Sequence, residues 1–97
     1  MPTYITLLNW TDQGVRAVKE SPQRLDAAKE AITQVGGRFV GFYMVFGDYD
    51  LVSIVEAPDD ETYARFLLTL AAQGNVRTKT LKAFTEDEYR RILASLP

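Results

Sequence analysis

The chain has 97 residues, 46% of them hydrophobic and 25% charged, with a formal net charge of −2 and a pI near 5.0. That is length for one domain with a real core, not for two or for a disordered segment, and its acidic balance makes nucleic acid a poor partner. It contains no Cys and no His, which excludes disulfides, thiolate nucleophiles, Ser-His-Asp triads and nearly all transition-metal sites.

Tyr4-Ile5-Thr6-Leu7-Leu8-Asn9-Trp10 is rich in β-branched and aromatic residues and predicts a first strand, punctuated by Thr11-Asp12-Gln13-Gly14. Val15 to Glu20 suits one or two helical turns. Ser21-Pro22 then reads as a helix start, Ser as N-cap and Pro at the first helical position. Leu25, Ala28, Ile32 and Val35 form one apolar stripe, and Gly36-Gly37 ends the helix with a left-handed cap.

Arg38 to Phe46 predicts a long second strand, Leu51 to Glu56 a third, and the Gly47-Asp48-Tyr49-Asp50 interruption a tight antiparallel hairpin with positive φ at Gly47 or Asp48. With strict alternation, Phe39, Tyr43 and Val45 of the second strand face one way, and Val40, Phe42, Met44 and Phe46 the other. Pro58-Asp59-Asp60-Glu61 opens a second main helix through Ala64, Leu67, Leu68 and Ala71, stopped by Gly74. Asn75 to Phe84 is a fourth strand. Thr85 with Glu88 forms a capping box for a tail helix reaching Leu96, whose Tyr89, Ile92, Leu93 and Leu96 share one side. The order is β-α-β-β-α-β plus a tail, a ferredoxin-like α+β fold with a four-stranded antiparallel sheet and two helices on one face.

The start, Met1-Pro2-Thr3-Tyr4, has no basic segment or cleavage site of a signal peptide, and no apolar run approaches the ~20 residues that span a bilayer. The expectation is a cytoplasmic protein without a membrane partner.

The sequence also resembles the GYD-domain family of small bacterial proteins, named for a Gly-x-Tyr-Asp-like signature at a β-hairpin, here Gly47-Asp48-Tyr49-Asp50. The likeness continues in Thr11-Asp12-Gln13-Gly14, Ser21-Pro22-Gln23-Arg24, Glu56-Ala57-Pro58-Asp59-Asp60, Val76-Arg77-Thr78 and Thr80-Leu81, and runs from about Tyr4 to Phe84. The resemblance implies a dimeric α+β barrel, two protomers paired through their sheets. It implies no active site.

Candidate site residues are weighed against plainer readings. Asp48 and Asp50 around Tyr49 suit a hard cation or, more simply, turn chemistry, since oxygen-only cation sites need more ligands. Asp59, Asp60 and Glu61 suit a helix start. Arg77 and Lys79 share a strand face and suit a carboxylate or phosphate, or else protect a sheet edge. Arg24 points to solvent or toward Asp12 in a surface ion pair. Tyr4, Trp10, Tyr43 and Tyr49 can line an aromatic pocket or simply pack. The candidate ligand-binding set is therefore Trp10, Tyr43, Tyr49, Asp50, Arg77 and Lys79, with no catalytic residue assigned and no metal or cofactor expected.

Three functions remain open: a homodimeric small-molecule-binding or regulatory module, a cofactor-free oxygenase- or isomerase-like enzyme acting on a small aromatic or carbonyl compound, and a protein-interaction scaffold. The homodimer follows from the strands. The third strand sets Leu51 and Val55 opposite Val52 and Ile54, so the sheet is apolar on both sides. The face without helices would be an apolar patch that soluble monomers rarely expose.

Overall fold

The computed structural model describes all residues from Met1 to Pro97. In chain order the elements are β1 (Thr3–Trp10), α1 (Asp12–Arg16), a 3-10 turn (Val18–Glu20), α2 (Ser21–Gln34), β2 (Arg38–Met44), β3 (Leu51–Glu56), α3 (Asp60–Ala72), β4 (Val76–Ala83) and α4 (Glu86–Ala94). The strands form one antiparallel sheet in the order β2-β3-β1-β4, so β2 and β4 are its edges. This is the ferredoxin-like α+β topology read from the sequence, with α1 as an added turn. No helix is long and apolar enough to cross a membrane.

The helices α2 and α3 cover the same face. Tyr4, Ile32, Val55, Ala57 and Tyr63 form the buried cluster, with Phe39, Phe66 and Leu67 against it. Tyr63 stacks on Tyr4 at 4.4 Å between ring centroids. On α2 the apolar stripe is graded: Ile32 is fully buried, Leu25 and Ala28 are half-buried, and Val35 at the helix end is exposed.

Local signals set most boundaries. Asp59 caps α3 by accepting the Thr62 N–H at 2.8 Å, and the Thr85–Glu88 capping box forms at α4 in both directions. Gly36, Gly47 and Gly74 all take positive φ; Gly47 lies in the hairpin turn, which Val45 closes by donating to the Asp50 carbonyl at 2.8 Å. Ser21 departs from expectation. The 3-10 turn already places it in helical backbone (φ −55°, ψ −42°), whereas a side-chain N-cap needs extended backbone, and no cap hydrogen bond forms.

The second departure is larger. Phe39 pairs with Val55, but Gly41 rather than Val40 pairs with Ile54. Val40 is the extra residue of a β-bulge, which reverses the facing of everything after it. Phe39 and Phe42 therefore both face the helices with Val55 and Ser53, Met44 follows them beside Leu51, and Tyr43 turns to the open face with Val52. The strand also stops at Met44, leaving Phe46 at the hairpin tip almost wholly exposed (99%).

The Thr11-Asp12-Gln13-Gly14 segment is a clasp. Thr11 donates its hydroxyl to the Gly74 carbonyl (2.6 Å) and its N–H to the Asn75 carbonyl (3.0 Å), and its Oγ1 accepts the Gly14 N–H (3.1 Å). Gln13 donates to the Gln73 carbonyl and the Asn75 side chain, both at 3.0 Å. Gly14 is buried so tightly that a Cβ would stand 2.0 Å from the Asn75 carbonyl oxygen. Arg24 ties the next segment in, donating to the Ala17 carbonyl at 3.1 Å and the Gly14 carbonyl at 3.5 Å. It forms no ion pair with Asp12, because α1 presents carbonyl oxygens within its reach.

A second tie joins β1, α3 and β4. Tyr4 donates its hydroxyl to Asp60, and Lys82 Nζ lies 3.0 Å from the same carboxylate. Burial first, and then this carboxylate, push the Tyr4 pKa well up. In return the Tyr4 hydroxyl, followed by Lys82, holds the Asp60 carboxyl below its ordinary value.

Two outcomes follow from these ties. Gly14→Ala should cost about 1–3 kcal/mol, as overpacking against an immovable backbone does, read as a lower urea midpoint at unchanged slope. Because the folded Asp60 pKa is depressed, its contribution is present above the unfolded value of about 3.9 and is lost as pH falls through the lower folded value. Asp60→Asn should therefore lower Tm near neutrality, and the difference from wild type should shrink on acidification below about pH 4. A difference that is constant with pH contradicts the assignment.

Candidate functional site

The face of the sheet away from α2 and α3 has no cover. Two cross-strand rows run over it: Tyr43, Val52, Leu7 and Lys79, then Gly41, Ile54, Ile5 and Leu81. Its centre is aliphatic and half-buried, while Tyr43, Lys79 and Leu81 at its sides are exposed. At the β4 edge, Tyr49, Arg77 and Lys79 join Leu7, Asn9 and Thr78 around a shallow depression of about 240 Å3. Arg77 and Lys79 both lie free of ion pairs.

The tail helix does not cover this face. Tyr89, Ile92, Leu93 and Leu96 are all exposed, as is Phe84 just before the helix. The molecule is correspondingly long and thin, 53 × 31 × 17 Å.

On the covered side a crevice of about 60 Å3 lies between α2, α3 and the sheet. Leu25, Phe39, Phe42, Phe66, Leu67 and Leu70 supply apolar walls, and Trp10, Thr6, Ser53 and Tyr63 also line it. The hydroxyls are linked. Tyr63 and Thr6 share a hydrogen bond of 2.7 Å, and Thr6 and Thr80 one of 2.9 Å. Burial pushes the Tyr63 pKa up, against the pull of Thr6 and Ser53. Ser21, Arg24, Gln73 and Asn75 add the remaining polar groups.

The six candidate residues thus do not converge. Tyr49, Arg77 and Lys79 gather at one edge of the open face; Tyr43 lies in the same row as Lys79 but with two strands between them. Trp10 belongs to the crevice on the opposite side. Asp50 holds backbone: its carboxylate accepts the Trp10 N–H at 3.0 Å, and its own N–H donates to the Leu8 carbonyl at 2.9 Å. Asp48 stays exposed in the turn, and no three carboxylates come together as a cation site. Sequence reasoning missed the crevice hydroxyls. The signal was present, since Thr6, Ser53 and Thr80 are small polar residues on the helix-facing register of three strands.

Comparison with known proteins places the chain. The GYD domain family model matches residues 4–93. A Thermus thermophilus protein described as "Glutamine synthetase and cystathionine beta-lyase binding protein" is 42% identical over 84 residues, covering 86% of this chain and 88% of that one. Among solved structures, the Thermus thermophilus protein TTHA0845 is similar at 30% identity and a TM-score of 0.53, over 88% of this chain and 95% of that chain. MtbAldR (Rv2779c) aligns with a TM-score of 0.69 at 16% identity, over 88% of this chain and 52% of that one, a likeness of fold. With nearly its whole length matched, the chain belongs to the GYD domain family.

Proposed function

We propose that this chain is a cytoplasmic, non-enzymatic regulatory module, a homodimer that pairs through its open sheet face and presents α4 to a partner protein. The observation that carries the reading is α4 itself. A nine-residue helix is marginal alone in water. This one is well capped and amphipathic, yet Tyr89, Ile92 and Leu93 on its apolar side stay exposed. Tyr89, Ile92 and Leu93 stand at i, i+3 and i+4, the spacing by which a helix anchors in a groove of another protein; the helix ends at Ala94, short of the expected Leu96, which lies exposed just beyond it.

The rest of the molecule supports a binding role over a chemical one. Tyr4 and Tyr63 have raised pKa values and hydroxyls engaged in hydrogen bonds, so neither is poised as a base at neutral pH. The Thermus thermophilus relative is named for binding two enzymes, and a partner of that kind suits an exposed helix. Pairing of the sheets supports the dimer. Ile5, Leu7, Val52, Ile54 and Leu81 form an apolar surface that a second copy hides, and a stable interface buries roughly 1,200–2,000 Å2 in total.

Two substitutions separate the two surfaces. Val52→Lys should convert a dimer to the 10.9 kDa monomer in light scattering at low micromolar concentration. Leu93→Asp should leave the dimer mass intact and weaken capture of purified glutamine synthetase, the probe suggested by the relative, by about tenfold or more. A wild-type protein that is monomeric at every concentration overturns the sheet pairing. Unchanged capture by Leu93→Asp, or loss of the dimer in that variant, overturns the role given to α4.

A further inference from the structure

Three cations stand on the edge strand β4, and their surroundings differ. Lys82, on the helix-facing register with Tyr4, is paired with Asp60. Arg77 and Lys79, on the open-face register with Asn9 and Leu7, have no carboxylate partner. Hydrogen bonds from cationic side chains come from Arg24, Arg38, Lys82 and Arg90, and none comes from Arg77 or Lys79. In a chain of net charge −2, two neighbouring cations are left unneutralised.

Protection of a sheet edge accounts for charge on an outer strand. It does not account for what gathers around these two. Leu7, Asn9, Tyr49 and Thr78 share one depression of about 240 Å3 with Arg77 and Lys79, and no carboxylate lines it. Asp50, next to Tyr49 in the chain, has its carboxylate on the Trp10 N–H instead. Both cations are exposed, so their donors are open to solvent, while Asn9 and Tyr49 are half-buried behind them. A guanidinium, an ammonium, an amide and a phenol all supply hydrogen-bond donors to this one space.

Charge and spacing select the ligand. Residues two apart on a strand stand about 6.5 Å apart, so each cation more readily meets an oxygen of its own than shares one. A phosphate monoester carries three terminal oxygens and about two negative charges at neutral pH, which matches two cations. A single carboxylate has one charge. The planar fork of Arg suits two phosphate oxygens and the ammonium of Lys a third. Leu7 and the ring of Tyr49 leave an apolar wall for the organic group.

We propose that this depression is a binding site for a small phosphate monoester, its phosphoryl group held by Arg77 and Lys79 and its organic group lying against Tyr49. Every lining residue comes from one chain, and only Leu7 is shared with the apolar surface given to the second copy, so the site does not depend on the sheet pairing.

The experiment titrates isotopically labelled full-length protein with phenyl phosphate and, separately, with phenyl sulfate, which has the same shape and one negative charge. Phenyl phosphate should shift the amide resonances of Asn9, Tyr49, Arg77 and Lys79 saturably, and phenyl sulfate should bind about tenfold more weakly. Arg77→Ala and Lys79→Ala should each weaken phenyl phosphate binding by about tenfold or more. Lys82→Ala removes the same charge from the other face of β4 and should leave the affinity unchanged. No saturable shift up to millimolar phenyl phosphate overturns the proposal. So does equal affinity for phenyl sulfate, or an equal loss in Arg77→Ala and Lys82→Ala, which would mark a general attraction to the strand's charge.

Discussion

Two helices can cover one face of a four-stranded sheet, and in this chain α2 and α3 lie on the same one. The consequences run through the whole molecule. Alternate residues of β1 and β3 go two ways: Tyr4, Thr6, Leu8, Leu51, Ser53 and Val55 are buried, while Ile5, Leu7, Val52 and Ile54 stay half-covered. The sequence is apolar on both registers, so the sheet is built for cover on two sides and receives it from its own chain on one. The tail helix leaves its own apolar residues exposed and does not supply the rest. An uncovered sheet and an undocked amphipathic helix in one small chain are two apolar surfaces, and both gain free energy from contact with another molecule.

The family's short motifs take their meaning from holding this arrangement together. Thr11-Asp12-Gln13-Gly14 clasps the turn after α3, Arg24 fastens α1, and Asp50 fixes the hairpin to the end of β1. These residues look chemical in a linear sequence because they are polar and closely spaced. In space they are occupied with backbone. Asp50 is the clearest instance, since a carboxylate already accepting the Trp10 N–H is turned inward rather than toward a ligand. What remains free for recognition is less conspicuous in sequence: the two edge cations and the apolar stripe of α4.

The fold is legible to the extent that its signals are local. A capping box, an Asp before a helix and a glycine at positive φ each act within four residues, and each stands where the sequence places it. Ser21 fails as a cap because its competitor, the 3-10 turn, lies just upstream. The facing of β2 fails for a different reason: a bulge is a property of a strand pair, and nothing within Arg38 to Met44 says that Val40 will go unmatched by β3. The candidate site is harder still. The crevice draws residues from both main helices and all four strands, so no window of sequence contains it. The six candidate ligand residues are selected by type, and type does not decide which side of a sheet a residue faces.

The central claim is that the open face of the sheet meets a second copy of itself. It is tested most directly by mixing isotopically labelled and unlabelled protein and recording only the nuclear Overhauser contacts that cross between protomers. The account predicts contacts from the methyl groups of Ile5, Leu7, Val52, Ile54 and Leu81 to those same residues of the partner. Cross-protomer contacts confined to α2, α3 or α4, or none at concentrations where the mass is dimeric, would contradict it.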